Sequence, residues 1–390
     1  MKFSERANAI SPFLAMAYGE RAAELEKAGN DVIRFNLGEP DFGAPPAVIE
    51  AMQKVVSAGD LPYTSALGLT ALRQAIAAFY KNKHGIDIPY NRIIVTAGAS
   101  AALLLVSAAL VNEGDNVIIG DPSYPCNRRF ISSFGGKVTL VPAPASQQFQ
   151  ISANDLANVW QPSTTGVVIA SPANPTGTSV STEEMKRIRD FCQKRNAWRV
   201  VDEIYLDIQL SDNQANQTVL ALDKDAIVIN SFSKYFGMTG WRLGWCVVPE
   251  AMVEVMEKLA QNLYICPSTP AQHAALACFT DASLSVCEAR RHKMIERKNK
   301  VLARLKDSVL DVEVSPDGAF YVYINIAKTG MTAIEFCDQL LEQHCVAMTP
   351  GNDFGEFNAD RYVRLSFATD DEALDKGLDR LLDFANASVL

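Results

Sequence analysis

Seven short apolar runs decide what this chain can become. They are Arg92–Thr96, Asn116–Gly120, Lys137–Val141, Gly166–Ala170, Trp198–Asp202, Ala226–Asn230 and Leu243–Val248. A strand with one wet face alternates polar and apolar residues, and most of these runs do not. Strands apolar on both faces must be covered on both, and helical stretches lie between several of them. One is the apolar run Ala99–Val111; another is Thr182–Lys194, opened by Ser181 and Glu184 in capping-box spacing. The pattern predicts an α/β fold with a mostly parallel seven-stranded sheet and helices on both faces. In such sheets ligands bind beyond the C-terminal strand ends.

The flanks follow another pattern. Residues Ser11-Pro12 read as a helix start, with a helix over Leu14–Ala28 stopped by Gly29 and a strand near Val32–Asn36. Beyond Pro249 come helical stretches at Ala251–Leu263, Gln272–Thr280 and Ser283–Leu305, the last charged enough to read as a solvated connector. Strand-like Val312–Val314, Gly318–Asn325, Val346–Met348 and Tyr362–Phe367 then alternate with helices. In the last run Val363, Leu365 and Phe367 share one face, so Arg364 points the other way. The expected division is a large domain over 46–280 and a smaller α+β domain from 1–45 and 281–390.

Charge and cysteine usage narrow the functions. A formal charge of −9 argues against nucleic acid or an anionic membrane as partner. The N-terminal charges leave no apolar signal core, and Ala99–Val111 is too short to cross a bilayer. Eight scattered cysteines without Cys-x-x-Cys spacing imply reduced thiols and a cytoplasmic location. Four dispersed histidines imply no metal. Motifs for nucleotide, serine-hydrolase and zinc-protease chemistry are missing.

Polar residues gather where the sheet rule expects a site. Gly98, Ala99 and Ser100 follow the first run at a helix N-terminus, which favours a phosphate. Asn174 lies between prolines after the fourth, and Asp202 ends the fifth. Ser231, Ser233 and Lys234 follow the sixth, with Arg242 eight residues beyond the lysine. Burial lowers a lysine's pKa, and a neutral amine is what a Schiff-base nucleophile needs. Hydroxyls beside an arginine fork make an anion site. These residues alone point to a lysine that binds an aldehyde carrying a phosphate.

The stretch Ser231-Phe-Ser-Lys-Tyr-Phe-Gly-Met-Thr-Gly-Trp-Arg-Leu-Gly244 resembles the cofactor-lysine signature of class I/II aminotransferases, enzymes dependent on pyridoxal phosphate. Asn36-Leu-Gly-Glu-Pro-Asp-Phe42 is similar to a second motif of that family, and the likeness runs from Asn36 to Arg364 in the family's order. The resemblance implies roles by position. Lys234 would hold the cofactor and carry the proton between substrate and cofactor. Asp202 would pair with the ring nitrogen, Tyr205 and Asn174 with the phenolic oxygen, and Tyr124 would stack on the ring. Ser231, Ser233, Arg242 and the Gly98, Ala99 and Ser100 segment would hold the phosphate. Tyr63 would do so from the neighbouring subunit, which implies a homodimer. Arg364 would bind the substrate α-carboxylate, helped by Asn174 and Gly38.

The implied activity is transfer of the α-amino group of an L-amino acid to a 2-oxo acid. A lyase of the same fold could share these residues, whereas a non-catalytic cofactor-binding regulator would need a basic DNA-binding extension that is missing. Phe13, Tyr18, Phe42 and Tyr264 are the expected pocket entrance, which favours an uncharged aliphatic or aromatic side chain.

Overall fold

The computed structural model describes residues 1–211 and 217–388. Its strands are β1 (Ile33–Arg34), β2 (Ile93–Thr96), β3 (Asn116–Asp121), β4 (Lys137–Pro142), β5 (Thr164–Ala170) and β6 (Trp198–Asp202). They continue with β7 (Ile227–Ser231), β8 (Gly244–Val247), β9 (Tyr321–Asn325), β10 (Val346–Ala347), β11 (Thr349–Pro350) and β12 (Tyr362–Ser366). Seven of them form one sheet in the order β2-β8-β7-β6-β5-β3-β4. Only β8 runs antiparallel to its neighbours; the other pairs are parallel.

The doubly apolar strands have the expected cause. Ile118, Val167, Val201 and Val228 face one core with Met185 and Ile188 of the helix Thr182–Gln193. Their neighbours Val117, Val168, Val200 and Ile227 face a second core with Leu103 and Val106 of the helix Gly98–Leu110 and Met256 of the helix Val253–Leu263. Each fully buried Val or Ile contributes about 1.5–3 kcal/mol, so both faces must be covered. At Gly166 even a methyl would stand 2.0 Å from the Trp198 ring, which is why β5 and β6 fit only with glycine there.

Two smaller sheets stand beside this one. β11, β12 and β9 pair antiparallel, and β1 pairs parallel with β10, which joins the N-terminal segment to the C-terminal region. Hydrogen bonds connect these sheets to the loops at the large sheet's C-terminal edge. Asp121 accepts the N–H groups of Glu356 and Phe357, and Gly177 O accepts those of Asp317 and Gly318.

Several expectations need correction. Val312–Val314 forms no strand; only Asp311 bridges to Asn325. The helix Asp281–Leu305 is no solvated connector. It buries Cys287, Met294, Val301 and Leu305, while Arg297 pairs with Asp41 and Asp371, and Lys300 with Asp375. Ser181 caps its helix through Glu184 N–H, but the Glu184 carboxylate accepts from Ala153 N–H, so the capping box is only half formed. The N-terminal helix Leu14–Lys27 starts at Phe13, without a side-chain cap from within its own segment; Asp353 accepts the first N–H groups, those of Leu14 and Ala15.

Candidate active site

The loops after β3, β5, β6 and β7 converge at one edge with β9, β12 and the turn after β1. The loops after β3 and β5 flank the point where strand order reverses, the position at which open α/β sheets bind ligands. They carry Tyr124 and Asn174.

Lys234 stands in the middle. Its Nζ donates to Gly38 O at 2.5 Å, with the Tyr205 ring centroid 5.7 Å away. The side chain is partly buried. Burial, opposed by Glu39 and reinforced by Arg364 and Arg242, lowers its pKa to about 8. Near neutrality a useful fraction is therefore the free amine. Asp202, at the end of β6, accepts one N–H from Ile204 and pairs with no cation among the described residues. Burial lifts its pKa to about 6, against the pull of that N–H and of Lys234.

An anion-binding wall adjoins the lysine. Ser231 Oγ donates to Ser233 Oγ at 2.9 Å, and both are buried. Arg242 has a left-handed backbone (φ 50°) and folds its guanidinium over Gly98, where a Cβ would come within 2.6 Å of Nη2. At Gly244 a Cβ would stand 2.8 Å from Ala99 N. These two glycines let the hydroxyl strand, the arginine and the helix N-terminus of Gly98, Ala99 and Ser100 close on one another. Arg242 has no carboxylate partner among the described residues, and Ser100 is exposed.

Arg364 is 2% exposed on β12. Nη1 donates to Asn174 Oδ1 at 2.8 Å and Nη2 to Asn36 O at 2.7 Å, but Nε has no partner among the described residues. No carboxylate answers this buried charge within the described chain. Leaving a guanidinium so is costly unless a ligand completes it. Tyr124 meets Phe13 edge-on, with centroids 6.2 Å apart, which puts the N-terminal segment over the cleft.

Some expected residues fall elsewhere. Tyr63 is 78% exposed and makes no hydrogen bond or ring contact among the described residues, so it is not part of this chain's own site. Tyr18 donates to Asp338, and Tyr264 packs with the second core. Phe42 lies under the Arg290 guanidinium. The site also uses groups that sequence reasoning missed: the Asn36 carbonyl, Thr349, and Tyr321, which bonds Tyr205 at 2.7 Å. Backbone carbonyls carry no sequence signal. Strand alternation puts Tyr321 on the face of Tyr323, but that this face meets Arg364 follows only from the β9–β12 register.

A pocket with a partly neutral lysine, an unpaired buried carboxylate, an anion wall and an unanswered arginine is that of an enzyme working on amines and carboxylates. Residues 30–381 match the family described as aminotransferase class I and II, and the chain belongs to it. It is 34% identical over 372 residues to a valine–pyruvate aminotransferase of Mycobacterium tuberculosis, covering 95% of this chain and 96% of the relative. It is also 33% identical over 397 residues to an aspartate aminotransferase of Geobacillus stearothermophilus, covering 99% and 100%. The solved structure of an aminotransferase from Mycobacterium tuberculosis superimposes with a TM-score of 0.95 at 33% identity, covering 99% and 100%.

The chain is accordingly an aminotransferase dependent on pyridoxal phosphate. The cleft fits that group feature by feature. Its aldehyde requires an amine, its phosphate an anion wall, its ring nitrogen a carboxylate and its phenolic oxygen a donor. Lys234, the Ser231–Arg242–Gly98 wall, Asp202 and the Tyr205 hydroxyl are of the right chemistry for each.

Proposed function

We propose that this cleft moves the α-amino group of an L-amino acid with an uncharged aliphatic or aromatic side chain to a 2-oxo acid. The observation that carries the reading is Arg364, a buried guanidinium with a free Nε and no carboxylate of its own among the described residues. A substrate α-carboxylate supplies the missing charge as a bidentate partner, with Asn174 and the Gly38 turn beside it. Both amino acid and keto acid carry that group, so one site serves both halves of the reaction.

Lys234 would hold the cofactor through its amine, and that amine, once free, would accept the proton from substrate Cα and return it to the product side. The lowered pKa increases the fraction of free amine available for this. Asp202 sits where a cationic ring nitrogen would relieve its own unfavourable burial. Ser231, Ser233, Arg242 and the Gly98–Ser100 amides would hold the phosphate, Tyr205 and Asn174 would hold the phenolic oxygen, and Tyr124 would stack on the ring. When bound, the cofactor supplies the electron-withdrawing ring that makes the substrate Cα–H acidic.

The enzyme acts as a homodimer whose Tyr63 reaches the partner's phosphate site, which accounts for its exposure here. It divides into a large domain over 46–280 and a smaller one from 1–45 and 281–390, with the β1–β10 pairing as the tie between the two parts of the latter. Its eight cysteines are all free, in keeping with a cytoplasmic enzyme.

The aromatic Phe13–Tyr124 lip supports an uncharged side chain. A panel of amino donors and keto acids tests it. Valine, leucine and phenylalanine are expected to exceed aspartate in kcat/KM by roughly tenfold or more, the scale on which an apolar pocket discriminates. A preference for aspartate would refute this part of the reading.

A further inference from the structure

Tyr321 has no role in the reading above, yet it meets three of its members. Its Oη lies 2.7 Å from Tyr205 Oη. Its ring lies under Arg364, with Cζ 4.5 Å from the centroid. Its hydroxyl also abuts Gly38, where a Cβ would stand 3.0 Å away, and Gly38 O is the acceptor of Lys234. The β9–β12 register explains the placement: Tyr323 pairs with Arg364 and Tyr321 with Ser366, so Tyr321 and Arg364 are diagonal neighbours on one face.

Between two phenols only one can donate. Tyr205 is the sole hydrogen-bond partner of Tyr321 Oη among the described residues. If Tyr321 accepted, its own proton would be buried without an acceptor and the Tyr205 proton would be spent. If Tyr321 donates, its proton is satisfied and the Tyr205 proton is free for another oxygen. Either arrangement leaves one buried phenol proton without an acceptor among the described residues, but only the second aims that proton at the phenolic oxygen assigned to Tyr205, so with the cofactor bound both protons are paired and the second arrangement is favoured. Burial raises the pKa of both phenols, which keeps both protons in place.

We infer that Tyr321 is a positioning residue: it donates to Tyr205, so aiming the Tyr205 hydrogen at the cofactor's phenolic oxygen, while its ring supports Arg364. The inference rests on the assignment of Tyr205 to that oxygen. Donors in series polarise one another, so the Tyr205 bond is stronger for having Tyr321 behind it. Donation to the phenolic oxygen stabilises its anion and disfavours a proton on the nitrogen that joins the cofactor to Lys234. Weakening that donor raises the pH midpoint of the cofactor's visible absorption change.

The test is a spectroscopic pH titration of the holoenzyme and its variants, with steady-state kinetics alongside. Tyr321→Phe keeps the ring and removes the hydroxyl. It should raise the midpoint by roughly 0.2–0.7 pH unit, a fraction of one charge-assisted bond, and leave KM for the amino donor nearly unchanged. Tyr321→Leu removes the ring as well and should also raise KM by roughly 3–10-fold through loss of the cation–π contact. Tyr205→Phe should raise the midpoint by about 1–2 units, and adding Tyr321→Phe to it should raise it no further. An unchanged or lowered midpoint in Tyr321→Phe, with Tyr205→Phe shifted as expected, overturns the relay alone. No shift in Tyr205→Phe overturns the assignment of Tyr205 itself, and the relay with it.

Discussion

The two ends of strand β6 treat buried charge in opposite ways. Near its start, Arg199 makes a bidentate pair with Asp223, at 2.6 and 2.8 Å, and gives a third hydrogen bond to Ala197 O. At its end, Asp202 has a single backbone N–H and no cation among the described residues. Arg364, across the cleft, is as deeply buried as Arg199, but among the described residues its hydrogen bonds go only to an amide oxygen, a carbonyl and a distant hydroxyl, with the Tyr321 and Phe354 rings against it. A charge completed from within the chain serves the fold. One left incomplete at the C-terminal edge is completed by what the enzyme binds, and it costs the apoprotein stability until then.

Substituting the two arginines breaks the comparison most sharply. Arg364→Met should lower kcat/KM by roughly 10²–10³-fold, the loss of two charge-assisted bonds, while the urea midpoint stays level or rises because an uncompensated charge has gone. Arg199→Met should do the reverse. It leaves Asp223 buried and alone, destabilises by about 3–5 kcal/mol, and leaves kcat of the folded protein unchanged. If Arg364→Met unfolded the protein as Arg199→Met does, the distinction would fail.

A smaller effect separates the strand's ends by pH. The Asp202 pKa is raised to about 6 in the fold from an ordinary 3.8. The folded apoprotein therefore holds this proton in a range where the unfolded chain releases it. Its contribution is complete below pH 4 and is lost as pH rises through 6, a change of about 3 kcal/mol. Asp202→Asn should remove that loss, so the variant gains on the wild-type apoprotein between pH 4 and pH 6 in urea titrations. Unequal spacing of the two curves with the opposite sign would mean that Asp202 is charged and paired.

Much of this division was open to reading from the chain. The seven-stranded sheet followed from runs without polar alternation, and the edge that holds the chemistry followed from the parallel arrangement. Lys234, Asp202 and Asn174 stood out together because polar residues follow several apolar strands at one edge, Arg242 because it adds an arginine fork to nearby hydroxyls, and Arg364 because it faces away from the apolar side of its strand; their roles came from the family resemblance. Tertiary acceptors were hidden: Gly38 O for Lys234 and Asn36 O for Arg364 are backbone groups any residue could supply. Tyr321 lay inside an aromatic strand whose residues all looked like core. The charges on Asp281–Leu305 misled because their partners, Asp41, Asp371 and Asp375, are distant in sequence.

The smallest effect belongs to a feature far from the site. Ser181→Ala removes the cap of the helix Thr182–Gln193 and should cost about 1 kcal/mol, read as a lowered urea midpoint with kcat and KM unchanged. A change in kinetics there would blur the line between fold and site.

The central claim is that the unpaired groups at the strand ends form a cofactor site built on Lys234. Borohydride reduction of the holoenzyme, followed by digestion and peptide mass mapping, tests it directly. The account predicts the reduced cofactor on the peptide containing Lys234 and none on the chain of Lys234→Ala. Its attachment to any other lysine, or persistence in Lys234→Ala, would contradict it.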